Sequence, residues 1–110
     1  MKKAPKNPEE LLPLTPAVFH ILLALADSER HGYGIMQEIA ERTQGAMRMG
    51  PGTLYGAITR LEERGLIRAV QTEDRRQPYR MTALGKRTLE EQVASLDQVL
   101  VTARRRLREA

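Results

Sequence analysis

The chain reads as a mainly α (α+β) fold, a winged helix-turn-helix with an N-terminal helix, a two-stranded wing and a long C-terminal dimerisation helix. Three observations predict it. Aromatic residues make up only 4% of the 110 residues, with one Phe, three Tyr and no Trp, so the core must be built from aliphatic side chains and Met, as in small helical domains. Apolar residues recur at three- and four-residue spacing in several stretches, the period of a helical face. Late in the chain, two strand-like runs flank a polar segment that ends in proline, the pattern of a β-hairpin.

Residues 1–13 carry Pro5, Pro8 and Pro13 among charged side chains, a density that breaks any helix; they are expected to form a tail or arm. Thr15-Pro16 pairs an N-cap residue with a proline at the first helical position, which signals a helix start. The first helix bears Val18, Phe19, Ile21, Leu22, Leu23 and Leu25 on more than one face, so burial on two sides is expected. His31-Gly32-Tyr33-Gly34 supplies two residues free of the usual φ restriction and reads as a turn. A second helix of about ten residues follows, with Ile35, Met36, Ile39 and Ala40 on its apolar face and Gly45 ending the pattern.

The third helix spans Pro51 or Gly52 to Arg64 with Leu54, Ile58 and Leu61 inward, and Gly65 suits the position just past its cap. Leu66–Thr72 and Tyr79–Thr82 form the wing strands around a basic tip, Glu73-Asp74-Arg75-Arg76-Gln77-Pro78. Thr82 caps the last helix, in which Leu89, Val93, Leu96, Leu100, Ala103 and Leu107 form a heptad seam. A helix of roughly 25 residues is about 38 Å long, too long for so small a domain to cover, so the seam is expected to join two chains as a homodimer. The expected organisation is a tail (1–13), a winged helix-turn-helix (14–82) and a dimerisation helix (83–110).

Composition narrows the function. The chain has room for one domain, and its 41% hydrophobic and 29% charged residues are ordinary for a globular fold. With no Cys, disulfides, thiolate nucleophiles and zinc thiolate sites are excluded. No apolar run approaches the roughly 18 residues that span a bilayer, and the basic start has no apolar stretch behind it, so a cytoplasmic protein without membrane association is expected. A net charge of +4 and a pI of about 9.9 favour a polyanionic partner.

The outward side of the third helix carries Gly52, Gly56, Thr59, Arg60 and Glu63, with Thr53 and Tyr55 on its flanks. Small residues let the backbone approach a duplex, Thr53 and Tyr55 can donate to phosphate, and the helix N-terminus attracts an anion. Arg60 is the candidate base contact, suited to guanine O6 and N7. Arg75, Arg76 and Arg80 in the wing are candidate backbone contacts. The expected partner is thus double-stranded DNA, with a homodimer reading a pseudo-palindromic operator whose half-sites are about 34 Å, or a multiple of that, apart.

Leucine-rich helix then His31-Gly32-Tyr33, Gly52-Thr53-Leu54-Tyr55, Arg60-Leu61-Glu62 to Gly65-Leu66-Ile67, and Tyr79-Arg80-Met81-Thr82-Ala83-Leu84-Gly85 occur in this order. Together they resemble the PadR family of transcriptional regulators, over about Leu14 to Leu89, in its short branch with a single C-terminal dimerisation helix. The resemblance implies a dimeric repressor of a nearby promoter, released by a small molecule or stress signal. Some short members stack flat aromatic drugs on tryptophans of the C-terminal helix; this chain has no Trp, so an effector would need other walls. Gly56 stands where many relatives have proline.

An enzyme is not expected. Two His, no Cys, no P-loop and no metal-binding His spacing leave neither a catalytic constellation nor a cofactor or metal site. The rival readings are a constitutive or architectural DNA-binding protein without ligand, and a winged-helix adaptor for other proteins.

Overall fold

The computed structural model describes residues 14–110, so the expected tail over 1–13 lies outside the described residues. In chain order the elements are α1 (Pro16–Ala24), β1 (Arg30–His31), α2 (Gly32–Arg42), α3 (Pro51–Glu63), β2 (Ile67–Ala69), β3 (Pro78–Met81) and α4 (Ala83–Glu109). Four helices and a small antiparallel sheet make the winged helix-turn-helix that the apolar spacing predicts.

Local chemistry sets the helix ends. Thr15 caps α1 by accepting from the Val18 amide at 3.3 Å, and Pro16 occupies the first turn, where its missing N–H costs no helical bond. Thr82 caps α4 through the Gly85 amide at 3.0 Å while donating to the Gly65 carbonyl at 2.6 Å. That one hydroxyl ties the exit of α3 to the entry of α4. Gly65 sits at φ +74° just beyond α3, the left-handed position at which helices terminate and a Cβ is penalised.

The core is aliphatic. Ile21 and Leu22 of α1, Ile35 of α2, Leu54 and Ile58 of α3, and Leu66 before β2 are essentially inaccessible. The first helix packs against α2, α3 and α4, which is why its apolar residues need more than one face. Among the described residues no buried side-chain polar atom lacks a hydrogen-bond partner.

Three features depart from the sequence expectation. The sheet has a third strand: β1 pairs with β3, Arg30 opposite Tyr79 and His31 opposite Pro78, beside the β2–β3 hairpin. Two residues are too few to show strand alternation, so periodicity gives no sign of β1. Gly32 and Gly34 do not form a turn; they lie in the first turn of α2 without positive φ. A Cβ at Gly32 would meet the Tyr55 phenol, with Cζ only 2.7 Å away, so a larger residue there would displace that ring. Finally Leu89, which the heptad spacing places first in the dimer seam, is buried in its own chain's core at 7% exposure. Beside it the Gln92 side-chain Oε1 accepts from the Leu14 amide at 2.8 Å, holding the start of α1 on α4.

His20 on α1 meets Arg42 on α2. The Arg42 guanidinium donates to His20 Nδ1 at 2.9 Å and to the His20 carbonyl at 3.1 Å, and also grips Glu38 at 2.7 and 3.0 Å. Burial, then the Arg42 charge, hold the His20 pKa below its ordinary 6.5, against the pull of Glu38. A depressed folded-state pKa means that the unfolded chain binds the proton more readily, so this stability is present above 6.5 and is lost as the pH falls toward the folded value. Melting temperature is expected to drop between pH 7 and pH 5.5, with a shallower drop in H20Q; equal slopes in the two proteins would show that the α1–α2 contact does not respond to protonation.

Candidate nucleic-acid interface

The outward side of α3 faces solvent: Gly52, Thr53, Tyr55, Thr59 and Arg60 are exposed, Gly56 is half-buried, and Leu54, Ala57, Ile58 and Leu61 point into the core. Its N-cap, Gly50, offers no side-chain hydrogen bond, so the first-turn amides remain open to an external acceptor. An added Cβ on Gly56 would lie 3.8 Å from an Arg60 guanidinium nitrogen, which places that cation over the bare backbone of the preceding turn. Thr59 donates its hydroxyl to the Tyr55 carbonyl at 2.9 Å, leaving its methyl and an oxygen lone pair available outward.

Tyr55 leans from α3 across the first turn of α2 and meets the wing. Together with Tyr33, Arg75, Arg76, Gln77 and the neighbouring His31 it lines a cleft of about 440 Å³. The fold thus brings the helix and the wing tip to one place, although they lie about twenty residues apart in the chain. Gln77 anchors the wing by donating to the carbonyls of Val70 and Pro78, both at 2.8 Å. Burial, with lesser contributions from Glu62 and Tyr55, raises the pKa of the Tyr79 phenol at the back of the cleft, so it remains a neutral hydroxyl.

Arg80 is not part of this group. It pairs with Glu29 at 3.2 Å on a sheet face where Arg68 lies directly opposite it. Two cations facing one another across strands repel, and Glu29 offsets that repulsion.

Two residues of the cleft escape a linear reading. His31 caps α2, its Nδ1 accepting from the Gly34 amide at 3.1 Å, while Arg76 approaches Nε2 at 3.3 Å. Tyr33 is 55% exposed, and its hydroxyl accepts from Gln37 at 3.3 Å, leaving its proton free to be donated. The available signal is an aromatic residue followed by glycine at a helix start, which in sequence looks the same as part of a turn.

Beyond Gln92, α4 leaves its own domain. Val93, Leu96, Leu100 and Leu107 are 40% to 76% exposed along one stripe, and Val99 beside them is 60% exposed.

The family model described as the transcriptional regulator PadR-like family matches residues 21–91. The chain belongs to that family. Among curated relatives, a transcriptional regulator of Mycobacterium tuberculosis is 38% identical over 84 residues, 73% of this chain and 75% of that protein. An uncharacterised 37.1 kDa protein of a Streptomyces fradiae transposon is 42% identical over 76 residues, and this chain spans only 21% of its length. Among solved structures, a transcriptional regulator from Clostridium thermocellum superposes with a TM-score of 0.72 at 27% identity, covering 81% of this chain and 87% of that one. Bacillus subtilis PadR, solved with operator DNA, superposes at 0.64 with 22% identity over 74% of this chain and 48% of its own. The four helices and small three-stranded sheet of this chain match the PadR-like winged-helix fold.

Proposed function

We propose that this PadR-like chain is a sequence-specific DNA-binding regulator that acts as a homodimeric repressor of a nearby promoter, released by a small molecule or stress signal. The observation that carries the DNA-binding part is the joint surface of α3 and the wing, where Tyr55, Arg75 and Arg76 border one cleft beside the outward face of α3. In this reading α3 enters the major groove with Arg60 on a guanine edge. The methyl of Thr59 meets a base, Thr53 and Tyr55 donate to phosphate, and Gly52 and Gly56 let the backbone come close. Arg75 and Arg76 neutralise flanking phosphates, whereas Arg80 serves the sheet through Glu29. A second copy covers the free stripe of α4, and the Bacillus subtilis relative bound to operator DNA supports the choice of partner.

The test is binding to the promoter upstream of its own gene and to a scrambled duplex over a range of salt. A preference of about 10³ or more for the promoter is expected of a regulator; uniform affinity would identify an architectural binder instead. Replacing Arg75 and Arg76 with Ala is expected to weaken binding to every duplex alike and to flatten the salt dependence by roughly 0.9 for each phosphate no longer neutralised. An unchanged slope would take the wing off the backbone.

A further inference from the structure

His31 makes two contacts that a single imidazole cannot sustain together. Its Nδ1 takes the Gly34 N–H and caps α2, while Arg76, which can only donate, lies 3.3 Å from Nε2. A neutral imidazole has one acceptor nitrogen. If Nε2 accepts from Arg76, then Nδ1 carries the proton and opposes the Gly34 amide, and the helix loses its cap. If Nδ1 keeps the cap, Nε2–H and the guanidinium point donors past each other into the cleft.

Among the described residues, the lining of the cleft offers no negatively charged acceptor to resolve this conflict. Tyr33 and Tyr55 bring neutral hydroxyls and Gln77 an amide whose nitrogen is committed to two carbonyls, and among the described residues no Asp or Glu lines the cleft. Glu73 and Asp74 of the wing are exposed outside it. An oxygen anion between Nε2–H and the Arg76 guanidinium satisfies both donors and leaves the helix cap intact. The inference rests on the DNA-binding reading of this surface, on which the nearest abundant oxyanion is a phosphodiester.

We propose that His31 is a DNA-backbone contact: in the capping tautomer its Nε2–H and Arg76 together hold one phosphate oxygen of the bound duplex, so that engagement of the wing and capping of α2 become a single event. In the free protein the two contacts compete, and DNA removes the competition.

The test uses H31S and R76A with the promoter duplex. Serine keeps an N-cap oxygen for the Gly34 amide but does not reach into the cleft, so H31S is expected to melt like the wild type. It should bind DNA about tenfold more weakly, the effect expected of removing one hydrogen bond to a charged group. Because a neutral donor displaces no counterion, the salt slope of H31S is expected to stay unchanged, whereas R76A lowers it by roughly 0.9. The double variant is expected to lose less than the product of the two single losses, since both residues hold the same oxygen.

Imidazole ¹⁵N shifts provide a reading on the unmutated protein. At alkaline pH the complex is expected to show Nε2 protonated and Nδ1 bare at His31. Wild-type affinity in H31S, or an Nδ1–H tautomer in the complex, overturns the proposal while leaving the interface standing. A wild-type chain that binds no duplex removes the interface itself. Inorganic phosphate alone producing the same tautomer at millimolar concentration overturns the assignment to the duplex.

Discussion

Gly85→Ala is expected to destabilise the fold by about 3 kcal/mol, at the upper end for forcing a methyl group into a packed site. Gly85 is buried in the first turn of α4, where an added Cβ would run into the Leu66 carbonyl and lie 2.8 Å from Met81 Cγ. A methionine can swing aside. The carbonyl cannot, because it accepts the Thr82 amide at 3.0 Å at the point where α4 begins. Relief requires lifting α4 off the base of the wing, so the cap, the sheet and the Leu89 contact loosen together. The melting temperature at fixed chain concentration should fall by roughly 12 to 20 °C. Gly52→Ala is the control: among the described residues, no atom beyond its own stretch of helix lies within 4 Å of an added Cβ, so the greater helix propensity of Ala should leave stability unchanged or raise it by up to about 1 kcal/mol. A Gly85→Ala protein as stable as the Gly52→Ala control would show that the close approach at Gly85 carries no cost.

On the proposed homodimer reading, Leu96→Glu is expected to yield monomers and to lower operator affinity by a factor of about 10² or more, the gain that joining two half-site readers provides. Leu96 is 40% exposed in the single chain, on the stripe with Val93 and Leu100. A charge there leaves the chain's own core intact, and exposed substitutions of this kind usually change stability by within about 0.5 kcal/mol. In a dimer the same carboxylate would be desolvated against the partner's leucines. Sedimentation at micromolar concentration separates the outcomes: folded monomers are expected, melting lower than the wild type only by the lost stabilisation of association, and a surviving dimer would remove α4 from the interface. Leu89→Ala would not be a clean substitute, since that side chain is covered by its own domain.

Much of the architecture is legible in the sequence because it is encoded between near neighbours. The Thr15-Pro16 start, the left-handed Gly65, the Thr82 cap and the inward set Leu54, Ile58 and Leu61 each depend on residues within a turn or two of one another. Their signatures therefore survive in a linear reading. The outward face of α3 follows as the complement of its inward stripe. The seam of α4 is legible in period but not in extent, because a leucine at heptad spacing looks the same whether its own core or a second chain covers it. Leu89 and Leu96 are seven positions apart on one stripe, and only their surroundings differ, buried in one case and 40% exposed in the other.

Local patterns thus determined the element order, the caps and which side of α3 faces outward, since propensity, capping and periodicity act over a few residues. Other features required the chain to close on itself. Arg76 reaches His31 across 45 positions and Leu14 bonds Gln92 across 78, while Arg80 turns to Glu29 and the bare backbones of Gly32 and Gly85 leave room for Tyr55 and Leu66. Such contacts leave no periodic trace, because each depends on where packing brings two distant backbone segments, and that is settled by the burial of the whole aliphatic core rather than by any one stretch of it.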